Sequence, residues 1–193
     1  VVWLSTSDSP TRKYKHTWEL VEAETGGRRE LVGINTNHPN RLVSEAVTAC
    51  LIPELAGYAG LRREVKYGRN SRIDILLEDA KKGTCYVEIK NVHMMRNHGR
   101  AEFPDSVTER GAKHRAEMSD MVAAGHRAVM LYLVQMSCPT TFEIARDIDP
   151  AYGAAFDLAR KAGVEAIAYR CRISPEEIAV ADAVPFRKEK RRA

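Results

Sequence analysis

Polar and apolar positions alternate from His16 to Glu22, a polar stretch from Glu24 to Arg29 carries two glycines, and Leu31 to Asn35 reads as a returning strand. This pattern predicts a β-hairpin, preceded by a strand at Val1 to Leu4 and a turn-rich Ser5 to Arg12. From Asn40 the period changes. Leu42, Ala46, Ala49 and Cys50 mark one face of a helix that stops before Pro53, with Glu45 inside its apolar stripe. Arg63 to Tyr67, Ile73 to Glu78 and Thr84 to Val92 then read as three strands, the last two joined by a polar turn.

Further on, Ser106 and Glu109 have capping-box spacing and Gly125 closes the segment, so a long helix is expected from Ser106 to Ala124, with Met118, Met121 and Val122 on its core side. Ala128 to Val134 is a continuous apolar run, as in a strand buried on both faces. Asp149-Pro150 starts a helix that runs to Gly163, and Val164 to Cys171 returns as a strand. Ser174-Pro175 with Glu177 repeats the start signal for a short final helix. The alternation describes an α/β (α+β) fold, a mixed sheet flanked by helices.

A chain of 193 residues suits one filled core with a small appendage. Its 44% apolar and 29% charged residues exclude the disordered and fibrous classes. No apolar run nears the roughly 18 residues of a membrane span, and no signal-peptide pattern opens the chain, so a cytoplasmic location is expected. The four cysteines form no C-x-x-C pair and read as reduced core residues. The net charge of +4 is mild but uneven: Arg62, Arg63, Lys66, Arg69 and Arg72 cluster, and Arg187 to Arg192 is almost wholly basic. Such density attracts a polyanion, although solvated faces and a frayed end give the same pattern.

Chemistry enters through strand parity. Side chains two apart on a strand share a face, so Glu88 and Lys90 project together. Asp74 stands between Ile73 and Ile75, and Glu88 between Val87 and Ile89, so both carboxylates interrupt apolar strands. Burying them is costly unless a cation, hydrogen bonds or solvent compensates. One answer is Mg2+ or Mn2+ held by Asp74 and Glu88, with the Ile89 carbonyl as a further oxygen donor and Lys90 activating water for phosphodiester hydrolysis. The other is that Asp74 pairs with an arginine such as Arg72 while Glu88 and Lys90 form a surface ion pair. Glu45 is expected as a third acid on the inward face of its helix; alternatively it pairs with Arg41, four residues earlier.

At the start of the long helix, Arg110 and Lys113 are candidates for phosphate contacts, helped by the helix dipole, and capping or solvation would equally account for them. His93 and His98 lack a second cysteine or histidine at ligand spacing, which argues against zinc. Tyr14 and Trp18 among Arg12, Lys13 and Lys15 suit base stacking or hairpin packing. A helix-turn-helix in Phe156 to Cys171 is rejected because Val164 to Cys171 is β-rich.

Longer strings carry more. "VKYGRNSRIDILLE" (65–78), "CYVEIKNV" (85–92), "FPDSVTERGAKH" (103–114) and "GHRAVMLYLVQ" (125–135) resemble the sugar fermentation stimulation protein A family, and "VWLSTSDSPTRKYKHTWEL" (2–20) and "IDPAYGAAF" (148–156) fit it too. The resemblance implies a DNA-binding protein with an N-terminal OB-like barrel and a restriction-endonuclease-like domain of the PD-(D/E)xK type, named for regulation of sugar, notably maltose, metabolism. By position it places the nuclease-like motif on Asp74, Glu88 and Lys90, with Glu45 matching the helix glutamate of related resolvase-like folds. Residues 1–36 are then the remnant of the OB-like domain and 37–193 the nuclease-like domain. The family's longer leader with an "HCPNTG"-like motif does not appear, so an incomplete barrel is expected, and Val92-His93-Met94 stands where the family has Val-Thr-Leu. Two functions follow: a Mg2+- or Mn2+-dependent nuclease acting on DNA or RNA, or a non-catalytic DNA-binding regulator. Arg63, Lys66, Arg69, Arg72, Arg110 and Lys113 are the expected nucleic-acid contacts, and a homodimer is a further partner.

Overall fold

The computed structural model describes residues 1–68, 71–107 and 110–187, and of residues 110–116 the backbone alone. Its centre is a strand that the rest of the molecule encloses. That strand, β9 (Arg127–Val134), carries the continuous apolar run, and every residue after Arg127 in it is buried. Its alternate side chains feed opposite cores, as period two requires. Val129, Leu131 and Leu133 meet Leu42, Val43, Ala46 and Val47 of helix α1 (His38–Thr48) on one face. Met130, Tyr132 and Val134 meet Met118 of α2 (Arg110–Ala123) and Tyr152 and Phe156 of α3 (Pro150–Lys161) on the other.

Around β9 lies a six-stranded mixed sheet. The strands β4 (Gly60–Tyr67), β5 (Ser71–Asp79) and β6 (Gly83–Val92) form an antiparallel meander. β6 runs parallel to β9, which runs parallel to β11 (Glu165–Ile173), and β12 (Ile178–Ala183) closes the far edge antiparallel. The expected mixed sheet flanked by helices is what the chain forms.

Two smaller sheets complete it. β1 (Val2–Thr6), β2 (His16–Thr25) and β3 (Arg28–Gly33) make an antiparallel three-stranded sheet at the front of the chain. β7 (Met94–Asn97), β8 (Arg100–Phe103) and β10 (Thr141–Ile144) form another, whose four-residue strands are too short to show a sequence period.

Three expectations change. The Ser174-Pro175 signal opens no helix: the Ser174 hydroxyl accepts from the Glu176 and Glu177 amides inside a turn joining β11 to β12. A side-chain oxygen that caps backbone N–H groups serves a hairpin turn as well as a helix start. Ser106, expected to cap the long helix, lies in a bend where its hydroxyl donates to Asp105; Glu109 is outside the described residues, and α2 is described from Arg110. Cys85 and Cys171 are core residues, but Cys50 is exposed and Cys138 half-buried. Among the described residues no helix is long and apolar enough to cross a membrane.

Leu131 is fully buried at mid-strand, on the face of β9 that α1 covers. Leu131→Ala should therefore lower unfolding free energy by about 2–5 kcal/mol with an unchanged m value in urea. A loss under about 1 kcal/mol would contradict a rigid core there.

Candidate active site

The β5–β6 ladder pairs Asp79 with Gly83 and ends at Ile75 opposite Val87. One step further the register would set Asp74 against Glu88. There the backbone pairing gives way to a side chain: the Ile89 amide donates to Asp74 Oδ2 at 2.7 Å. Asp74 thus replaces a lost ladder bond, which holds its carboxylate at the point where the strands part. Its second oxygen, Oδ1, accepts from Asn40 Nδ2 of α1 at 3.0 Å.

Glu88 keeps the predicted parity with Lys90, and Lys90 Nζ donates to Glu88 Oε1 at 2.8 Å. Glu88 is only 4% exposed. Burial, and then the negative charge of Glu88, push the Asp74 carboxyl above the usual carboxylate range, against the opposing pull of the Ile89 amide, Asn40 and Lys90. Two acids close enough to resist each other's ionisation are a donor set that a divalent cation would relieve.

Tyr67, at the end of β4, identifies a further member. Burial and then the charges of Glu88, Glu117 and Asp74 push its hydroxyl far above the normal phenol value. That hydroxyl is buried and has no hydrogen-bond partner among the described residues. Glu117, on α2, is itself buried, and a Cβ on Gly68 would lie 3.0 Å from its carboxylate. Gly68 also has φ +56, so a substitution there meets both backbone strain and this carboxylate. Three acids, an amine and a phenol therefore converge beside the split in the sheet.

Glu45 does not join them. It is 59% exposed and pairs with Arg41 at 3.3 Å, the alternative weighed from sequence. Leu42, Val43, Ala46 and Val47 form the buried face of α1, whereas Ala49 and Cys50, assigned to the same stripe from sequence, lie at the exposed end of the helix. That rotation points Glu45 outward, and Asn40 is the residue by which α1 reaches the site. Asn40, Tyr67 and Glu117 were missed; for Glu117 a signal existed, because it lies four residues before Met121 and so shares a helix face with it.

Of the expected nucleic-acid contacts, Arg63, Lys66 and Arg72 are exposed. No ion pair among the described residues engages them, whereas Arg62 is held by Glu78 at 2.8 Å. Lys66 and Arg72 stand directly opposite each other across β4 and β5, a like-charge pairing that costs stability and that a bound anion would offset. Arg69 and the side chains of Arg110 and Lys113 lie outside the described residues. His93 is half-buried and belongs to no cluster of candidate metal ligands among the described residues, its ring held below the usual histidine range by burial.

The chain is similar to known proteins in sequence and in fold. The family model described as the sugar fermentation stimulation protein RE domain matches residues 37–177. A sugar fermentation stimulation protein homolog of Azorhizobium caulinodans is 60% identical over 96% of this chain and 78% of its own length. That of Rhodospirillum centenum is 60% identical over 93% of this chain and 75% of its own. The solved structure of Pyrococcus furiosus SfsA in complex with Ca2+ superposes with a TM-score of 0.82, covering 97% of this chain and 78% of that one at 24% identity, a likeness of fold.

Because the Asp74 carboxyl is raised, the unfolded chain ionises first, and stability falls as pH climbs from the ordinary carboxylate range through the folded value. Metal-free Asp74→Asn should thus melt at or above the parent at about pH 7, with the difference vanishing near pH 4. A clearly lower melting temperature at neutral pH by scanning fluorimetry would contradict the electrostatic cost assigned to this site.

Proposed function

The chain belongs to the sugar fermentation stimulation protein family, and we propose that it is a Mg2+- or Mn2+-dependent phosphodiesterase acting on DNA, with RNA as a second substrate class. The observation that carries this reading is the convergence of Asp74, Glu88 and Lys90 at the parting of β5 and β6, with Asp74 resisting ionisation beside Glu88. Hard oxygen donors suit a hard divalent cation, and the Pyrococcus furiosus relative is described in complex with Ca2+. Asp74 and Glu88 would hold the ion, which supplies Lewis acidity toward a phosphoryl oxygen and a more acidic bound water.

The chain's own groups do the remaining work. Lys90, held 2.8 Å from Glu88, presents an ammonium that orients the attacking water and balances charge developing on the phosphate. The Ile89 amide and Asn40 fix the Asp74 carboxylate, so little reorganisation is needed during reaction. Arg63, Lys66 and Arg72 offer the backbone-tracking charge. We assign residues 1–36, with β1 to β3, to an OB-like portion and residues 37–193 to the nuclease-like domain, in a cytoplasmic protein linked to control of sugar, notably maltose, metabolism.

One observation favours the second reading, a non-catalytic DNA-binding regulator: both Asp74 oxygens and one Glu88 oxygen are already engaged by protein donors. Incubation with labelled duplex DNA, single-stranded DNA and RNA separates the two. The nuclease reading expects cleavage with Mn2+, none with EDTA, and a loss of about 10²–10⁴-fold in rate for Lys90→Ala. Binding without cleavage under every metal condition would establish the regulator instead. In either case the Lys66→Ala, Arg72→Ala double variant should bind DNA more weakly and flatten the log–log salt slope by about two; an unchanged slope would remove the basic strip from the interface.

A further inference from the structure

A second set of metal-ligating side chains lies away from Asp74 and Glu88, at the seam between the front three-stranded sheet and the main body. Glu30 comes from β3, His98 from the turn between β7 and β8, and Cys138 from the loop after β9. Their ligand atoms all lie within 4.8 Å of one another. The buried thioether of Met95 sits 3.6 Å from the Cys138 sulfur and walls one side with a soft atom.

The seam is already close-built. Thr25 donates through its hydroxyl to the Met95 carbonyl at 2.7 Å. The turn between β2 and β3 approaches the turn bearing His98 so tightly that a Cβ on Gly26 would lie 2.5 Å from the His98 amide nitrogen. The loop bearing Cys138 is tied to the same turn by the Thr140 amide, which donates to the Gly99 carbonyl at 2.8 Å, so three segments far apart in sequence are held close before any ion arrives, and this preorganisation favours binding.

We propose that Glu30, His98 and Cys138 form a zinc-class site that clamps the front sheet to the nuclease-like body. A thiolate, an imidazole and a carboxylate are the donor types zinc takes, and three protein ligands leave a fourth position for water. The same set is ill-suited to Mg2+, which separates this site chemically from the all-oxygen one. His98 is exposed, giving the ion a route from solvent and leaving the imidazole free to move the small distance that bonds of about 2.0–2.3 Å require. Burial, and then Glu30, push the Cys138 thiol up to about 11. On binding, the S–H bond breaks, its proton passes to solvent, the sulfur–metal bond forms, and the Glu30 carboxylate turns from the thiol to the ion.

Cadmium reports a thiolate ligand selectively, through its charge-transfer absorption. Titrating the metal-free full chain with Cd2+ should give a band that saturates at about one ion per chain, vanishes in Cys138→Ser, and needs about tenfold or more Cd2+ in His98→Ala. It should persist in Cys50→Ser, which removes the exposed thiol, and in Asp74→Asn, so that failure of the nuclease reading leaves this test untouched. In an Asp74→Asn background, which removes a ligand of the all-oxygen site, Zn2+ at about a hundredfold excess over its Kd should raise the melting temperature by about 5–10 °C, and adding Cys138→Ser should abolish that shift. A parent chain without the band, a band surviving in Cys138→Ser, or one lost with Cys50, would overturn the proposal.

Discussion

The site depends on one substitution of bonding: a carboxylate takes the place of a ladder hydrogen bond. β5 and β6 pair as far as Ile75 and Val87, and Asp74 then accepts the Ile89 amide that would otherwise be left over as the strands separate. A buried N–H without an acceptor costs roughly 1–3 kcal/mol, so the backbone itself demands an acceptor at this place. The demand fixes Asp74 within reach of Glu88 and couples the chemistry of the site to the divergence of the sheet. Removing the side chain would also leave the Ile89 amide without its acceptor.

The surrounding architecture keeps that divergence in place. β9 lies parallel to β6 along its whole length, from Cys85 opposite Arg127 to Val92 opposite Val134, so Glu88 and Lys90 sit on a strand that is locked on one side while its other neighbour departs. Helices cover both faces of β9, with α1 delivering Asn40 and α2 delivering Glu117. Rigid neighbours and mutually repelling acids are the combination in which a cation gains most from binding. The basic residues of β4 and β5 add a surface where opposed like charges at Lys66 and Arg72 make an anion welcome.

Much of this was legible in the chain. The unbroken run from Ala128 to Val134 announced a strand covered on both faces, and it is the one around which both cores form. The parity of Glu88 and Lys90 survived folding because both remain in regular strand. Glu45 failed because its assigned stripe extended past the end of the helix to Ala49 and Cys50, and two misplaced positions were enough to rotate the inferred buried face. The Ser174-Pro175 signal failed because a capping oxygen cannot tell a helix from a turn. Tyr67, Asn40 and the Glu30–His98–Cys138 set lay beyond sequence reasoning for a different reason: each becomes notable only beside residues tens of positions away, and no local pattern records that meeting.

The central claim is that Asp74 and Glu88 share a divalent cation. Anomalous diffraction at the manganese edge, from crystals of this chain equilibrated with Mn2+, tests it most directly. The account predicts a peak at about 2.0–2.2 Å from oxygens of both carboxylates, with the Lys90 ammonium displaced from or sharing its contact to Glu88. Saturating Mn2+ with no density there, and with the Asn40–Asp74 and Lys90–Glu88 bonds unchanged, would contradict it.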